Sequence, residues 1–437
     1  MRPSLNPLIA DLSLPPIPEA QSWTRAYDGA FGPLINLSQA VPGTPPHADL
    51  LAQLARAAGS ADAARYGMIE GDLALREAYA AETAAQYGTD LDAGHVAITA
   101  GCNEAFAVAT MLAAQAGDAV ILPTPWYFNH QTTLAMLGIT PLALPARAEN
   151  GFVPDPADAR ALITPRTRAI VLVTPNNPTG AIYPPETLAA FAKLAREEGL
   201  WLILDETYRD FIAGDGAPHR LFDAPDWGDN LIALYSFSKS YAVPGHRIGA
   251  MIAGPETIAA IIKILDNLQI CPARTGQIAL AWAIPNLRQW RAENRADILT
   301  RAGIFTDVIA RHPGWKVESI GAYFAYLRHP WPGKPAAEIA ERLARERGVL
   351  ALPGSYFGPG QEDFLRVAFA NVEAAQVAAL EKAKTEKEAH GEFESECPGY
   401  CGAQDTFYVG TLKGVGRIYQ QTFIDTYSKV AMVKLYD

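Results

Sequence analysis

Short apolar runs alternate with longer amphipathic stretches from about residue 45 to 285. The runs HVAITA, AVILPTP, AIVLVTP, LWLILDE, LIALYSFS and GAMIAG are bounded by Gly, Pro or Asp. At this length they suit the buried strands of an α/β sheet better than helices of ten or more residues. Between them, GCNEAFAVATMLAAQAG and PETLAAFAKLAREEG space their apolar residues by three and four and close on Gly, as helices do. A doubly wound or mixed, mostly parallel sheet follows. Beyond Asn286, NLRQWRAENRADILTRAGIFTDVIAR predicts one long helix, and Trp315 to Ala383 then mixes strand patterns (GAYFAYLR, DFLRVAFA) with helix patterns (PAAEIAERLARERG, NVEAAQVAALEKAK). That reads as a smaller α+β unit. After Lys384 a charged run, KTEKEAHGEFESE, opens a segment richer in Tyr, Thr and Lys and poor in Ala, which reads as a linker and a foreign piece.

Composition narrows the classes. A chain of 437 residues with 49% hydrophobic side chains has material for one or two large cores and is not a disordered or fibrous sequence. Acids outnumber bases 47 to 36, so a general nucleic-acid or anionic-membrane binder is disfavoured. Four cysteines are too few to staple so long a chain, which suits a reducing compartment. The opening MRPSLNPLIADLSLPPIPEA breaks its apolar run with Asp11 and prolines, a poor signal peptide, and no apolar stretch approaches the roughly 20 residues of a spanning helix. The expected location is cytoplasmic.

Three polar constellations each follow an apolar run directly. LIALY leads into Ser236, Phe237, Ser238 and Lys239, with Arg247 eight residues on in GHRIG. Such a lysine can hold an aldehyde cofactor as an imine while the hydroxyls and the arginine bind its phosphate. LWLILDETYRDF ends its strand in Asp205, with Tyr208 three residues later, and a buried acid there needs a cation or a protonated ring nitrogen. Thr174-Pro-Asn-Asn177-Pro-Thr-Gly180 places a neutral hydrogen bonder at the mouth of the sheet. All three converge on the carboxyl edge, where open α/β sheets bind ligands.

NNPTG, then DETY, then SFSKSYAVPGHRIG, in this order, resembles the class I/II aminotransferases of the pyridoxal-phosphate fold-type I group over about residues 25–385. The resemblance implies a large α/β domain of the pyridoxal-phosphate-dependent transferase type plus a smaller α+β domain. Residues 1–44 would form an N-terminal arm and part of the small domain, 45–285 the cofactor-binding domain, 286–384 the rest of the small domain, and 385–437 the linker and tail. It implies the cofactor pyridoxal 5′-phosphate and a homodimer with shared active sites, acting on an amino acid and a 2-oxo acid, with no nucleic-acid or membrane partner and no metal. Lys239 would form the internal aldimine and shuttle the proton, and Asp205 would pair with the pyridine nitrogen. Tyr208 and Asn177 would meet the phenolic oxygen. Ser236, Ser238 and Arg247, with amides at Gly101, Cys102 and Asn103, would bind the phosphate at a helix N-terminus. Tyr127 would lie over the ring, with Trp126 as the alternative register, and Tyr66 would reach the neighbouring subunit's phosphate. Arg366 would grip the substrate α-carboxylate, and INLSQAVPGTPP, with Ala40 where glycine is common, would form the substrate lip. Arg274 is a candidate for a second substrate carboxylate or for an interface. Alternatives in the same fold are a C–S lyase or other β-eliminating enzyme, and a pseudoenzyme inactivated by its C-terminal fusion. Apolar or aromatic substrates are favoured over dicarboxylates.

The tail from Gln404 resembles the start of an integrase-type transposase core, with Asp405 at the first metal-binding acid and the other acids falling beyond Asp437. A remnant without two-metal chemistry is expected. Cys397 and Cys401, spaced CxxxC, would supply only two of the four ligands a zinc site needs, so no metal is expected there, and VAMVKLYD would be the uncovered edge of an unpaired hairpin.

Overall fold

All six apolar runs form strands, because each supplies residues for both faces of a covered sheet. The computed structural model describes residues 3–372 and, in the tail, 402–412, 416–425 and 431–436. A short strand β1 (Ile35–Asn36) precedes β2 (Val96–Thr99), β3 (Ala119–Thr124), β4 (Thr140–Pro145), β5 (Thr167–Val173), β6 (Trp201–Asp205), β7 (Leu231–Ser236) and β8 (Gly249–Ile252). The last seven make one sheet in the order β2-β8-β7-β6-β5-β3-β4. Six of them, β2, β4, β3, β5, β6 and β7, run in one direction, and β8 is antiparallel to both its neighbours, so the sheet is mixed. Alternate residues divide between two apolar layers: Ile170, Leu172, Leu202 and Leu204 face one, while Ala169, Val171, Ile203 and Ile232 face the other. Strand β4 escaped the sequence pattern. It is an edge strand, half exposed and carrying Pro141 and Pro145, whose missing N–H donors an edge accommodates.

The helices expected from spacing are present at Cys102–Ala113, Pro185–Glu197 and Arg288–Ala310. Past the last of these come β9 (Lys316–Gly321), β10 (Phe324–Arg328), β11 (Val349–Leu350), β12 (Leu352–Pro353) and β13 (Phe364–Ala368), with the helix Ala336–Arg347 between β10 and β11. Strands β12-β13-β10-β9 form an antiparallel sheet, and β11 pairs in parallel with β1. The amino-terminal arm is thus stitched to this smaller sheet: Leu37 N–H donates to Leu350 O at 2.8 Å, and Ala368 N–H to Leu37 O at 2.8 Å. Among the described residues, no helix is long and apolar enough to cross a membrane.

The chain divides into two compact units, Met1–Ala378 and Ala379–Asp437. In the second, β14 (Gly402–Leu412), β15 (Gly416–Asp425) and β16 (Ala431–Tyr436) form an antiparallel meander. Strand β16, from the stretch the sequence expected to be an uncovered edge, lies at one edge of this meander and pairs with β15. Cys397, Cys401 and residues 373–384 of the expected last helix lie outside the described residues.

Candidate active site

The carboxyl ends of β5, β6 and β7 open into a cavity of about 290 Å³. Among the sequence candidates, Ala40, Cys102, Asn103, Tyr127, Asn177, Asp205, Tyr208, Ser236, Ser238, Lys239, Arg247 and Arg366 all line it. Strand β7 ends in Ser236, which caps a one-turn helix, Phe237–Ser240, so that Lys239 leaves the sheet edge at a fixed angle. Its ammonium lies 5.9 Å from the Tyr208 ring centroid and donates to the Ala40 carbonyl at 2.5 Å. Burial, with the Arg247 and Arg366 charges, pushes the Lys239 amine down to about 8.

Asp205 ends β6 and is buried. His130 Nε2 lies 3.3 Å from its Oδ2, and Thr207 N–H donates to its Oδ1 at 2.9 Å. Burial opposes its charge, but the His130 and Thr207 contacts outweigh it and hold the carboxyl below the ordinary range. Phe106 stacks on the His130 ring at 3.9 Å and Tyr127 meets its edge at 5.2 Å, so the imidazole has a fixed orientation. His130 and Thr207 were not among the sequence candidates. The signal was there: a buried acid demands a partner, and His130 follows Tyr127 by three residues in PTPWYFNH.

The opposite end of the cavity is built for an anion. Gly101, at φ +87°, starts the helix Cys102–Ala113, and a Cβ there would collide with the Arg247 guanidinium. Only glycine allows that approach. Ser238 Oγ is buried without a hydrogen-bond partner. Cys102 packs against Asp205 and Thr207, and burial pushes its thiol well up, so it is a neutral group here.

Arg366 projects from the middle of β13 and is 2% exposed. It donates to Asn177 Oδ1 at 3.3 Å and to the Ser38 carbonyl, and its Nε has no partner. The Phe324 and Phe357 rings flank its guanidinium at 5.3 Å each, and burial pushes it down to about 10. In NNPTG the two asparagines divide the work. Asn176 accepts from Thr179 N–H at 3.1 Å and Thr179 Oγ1 at 2.9 Å to shape the turn, which leaves Asn177 to face the cavity. Gly180 lets the turn abut Gly321, whose backbone nitrogen a Cβ would overlap.

Of the two aromatic registers, Tyr127 lines the cavity, whereas Trp126 packs beside Gly358. Tyr66 is 80% exposed and lies on a separate groove with Asp62, Asp72 and Arg274, not in the cavity of its own chain. Arg274 is also outside it. Its Nε meets both oxygens of Asp72 at 3.0 and 3.1 Å, and its NH2 meets Asp62 Oδ2 at 3.0 Å. No group of three or more His, Cys, Asp or Glu side chains placed to hold a metal occurs among the described residues.

Sequence neighbours of the cavity residues form a second cluster, in which opposite charges meet. Glu206 accepts from Tyr87, has His219 Nε2 at 3.3 Å and Arg209 at 3.7 Å. Arg209 lies over the Tyr235 ring at 4.5 Å. Asp210 accepts from Ser240 and from Tyr235 Oη at 2.5 Å, with Arg291 at 3.5 Å.

The chain belongs to the class I and II aminotransferase family, whose model matches residues 33–383. It is 30% identical to an aspartate aminotransferase of Pyrococcus horikoshii over 322 residues, 73% of this chain and 81% of that one. It is 32% identical to an arginine–pyruvate transaminase of Pseudomonas aeruginosa, covering 69% and 77%. The aspartate aminotransferase of Thermus thermophilus solved with maleate superposes with a TM-score of 0.79 at 25% identity, covering 88% of this chain and all of that one. The protein is an aminotransferase of fold type I, and these likenesses do not favour a lyase or an inactive relative.

Proposed function

We infer that the cavity holds pyridoxal 5′-phosphate, with Lys239 as the reacting amine, and moves an amino group between an amino acid and a 2-oxo acid. The observation that supports this most is a charge imbalance. Lys239, Arg247 and Arg366 face a cavity whose only lining carboxylate among the described residues, Asp205, already has His130 and Thr207. Arg366 in particular is a buried cation whose polar partners are neutral oxygens, an arrangement that costs free energy until an anion arrives. A phosphate at the Gly101–Arg247 end and a substrate carboxylate at Arg366 would balance it. The orphan Ser238 hydroxyl and the Cβ-free Gly101 are the features a phosphate would use.

When bound, the cofactor supplies an aldehyde carbon for the amino group and a ring that accepts the electron pair left when the α-carbon loses its proton. Asp205, its own charge secured by His130, would keep the ring nitrogen protonated. Tyr208 and Asn177 would hydrogen-bond the phenolic oxygen. Lys239 Nζ, whose lowered affinity for protons provides neutral amine near pH 8, takes and returns the α-proton. Arg366 would orient the α-carboxylate with its planar fork, and Tyr127 would cover the ring.

A second copy of the chain completes the assembly. Tyr66 stands 80% exposed amid exposed Met68, Leu73 and Ile270, an apolar patch that a homodimer would cover. Free Cys102 and Cys271 support a cytoplasmic location. The test is the absorbance spectrum of the purified protein with pyridoxal phosphate, titrated with amino acids and then 2-oxo acids. A visible imine band that amino acids discharge and 2-oxo acids restore, absent in Lys239→Ala, supports the reading. A folded protein with no such band overturns it.

A further inference from the structure

Resting on that reading, we propose that the preferred amino-acid substrate carries a neutral, apolar or aromatic side chain, and that aspartate and glutamate are poor substrates. Each cation lining the cavity is already engaged by a group common to all substrates or by the cofactor, Lys239 by the amine, Arg247 by the phosphate and Arg366 by the α-carboxylate. Apart from Asp205, the rest of the wall among the described residues is neutral. Ile17, Val41 and Phe128 supply its apolar surface, and Gln39 and Asn129 its amides. Asn129 is committed, its Nδ2 donating to Tyr127 Oη at 2.7 Å.

The apolar part is a built surface, not an accident of loops. Ile17 and Phe128 pack onto the cluster of Leu350, Leu352 and Phe357, and the Phe128 ring lies 5.7 Å from Phe357 and 5.1 Å from Tyr127. A second carboxylate placed against this wall would lose its water with no cation to replace it, while Asp205 adds negative charge nearby.

A neighbouring subunit does not alter this balance if it presents the Tyr66 groove. The cation of that groove, Arg274, is matched twice, by Asp72 and by Asp62. It brings no net positive charge for a substrate acid.

The test uses the cofactor-loaded protein in two arms. Single-turnover rates are measured for phenylalanine, leucine and methionine against aspartate and glutamate. Dissociation constants are measured by calorimetry for the unreactive analogues 3-phenylpropanoate, 4-methylpentanoate, succinate and glutarate. The best apolar amino acid exceeds both acids by about 100-fold in rate over affinity, the range a pocket commands against a misfit group, and the monoacids bind tighter than the diacids. Ile17→Lys narrows that gap at least tenfold. Equal or better use of aspartate or glutamate, or an Ile17→Lys variant that changes both classes alike, overturns the proposal. Analogue binding in this order with no amino acid discharging the imine would leave the specificity standing and sink the aminotransfer reading of the site instead.

Discussion

Adjacent residues at the same strand ends serve two regions with opposite charge logic. Asp205, Tyr208, Ser236 and Lys239 face the cavity, while their neighbours Glu206, Arg209, Tyr235 and Ser240 enter the packed cluster behind it. In the cluster, Glu206 has Tyr87, His219 and Arg209, and Asp210 has Ser240, Tyr235 and Arg291. In the cavity, Lys239 and Arg366 donate to backbone carbonyls and an amide. Binding capacity resides where charges lack opposites, and rigidity where they have them. A site that satisfied its own arginine would have nothing left to offer a substrate.

The sharpest way to break this contrast is Lys239→Ala, which should lower kcat/KM by at least about 10⁴-fold, since it removes both nucleophile and proton carrier. Its melting temperature should hold or rise, because a buried cation is gone. Arg366→Met should lower kcat/KM by about 10²- to 10³-fold through the lost carboxylate partner and likewise not lower the melting temperature. A clear destabilisation in either variant would contradict the imbalance. Glu206→Gln should do the reverse, lowering stability in urea by about 3–5 kcal/mol because Arg209 stays buried without its partner, with turnover at low temperature little changed.

The two regions should also answer pH in separate windows, the cavity on the alkaline side and the cluster on the acidic side, with stability rising with pH in both. Lys239 titrates near 8 in the fold and at its ordinary 10.5 when unfolded, so the folded state binds fewer protons between these values. Stability from this group therefore rises as pH climbs through 8 to 10.5, and capture of pyridoxal phosphate by the apoprotein should rise with pH to a midpoint near 8. Stopped-flow imine formation checks it, and a midpoint near 10 would refute the burial argument. Glu206 and Asp210 are held below their ordinary 4.5 and 3.8 although burial works against them. Their contribution is complete above those values and fades as pH falls through the lower folded ones. Acid unfolding of Glu206→Gln should lose part of that dependence, the smallest of these effects.

Much of this is legible in the chain. Buried parallel strands announce themselves as uninterrupted apolar runs, and the polar residues that end them are conspicuous because nothing apolar explains them. Lys239, Asp205, Asn177 and Arg366 stand out on those grounds together with the family resemblance, and one cavity holds all four. The edge strand β4 is hidden by its prolines. His130 escapes notice because its partner is 75 residues away in sequence, at Asp205, and proximity of that kind emerges only when β3 and β6 are placed in one sheet. The apolar wall from Ile17 and Phe128 depends on the arm folding back across the molecule, which no local pattern encodes.

Both cationic side chains of the cavity that touch the lip do so through main-chain oxygens, at Ser38 and Ala40. Every amino acid has such an oxygen, so a change of side chain at either position leaves the contact chemically intact. A library of point substitutions across the lip would therefore read as permissive. One inserted or deleted residue would shift both oxygens out of register at once, and the segment's importance would be visible in length variation where it is silent in spelling.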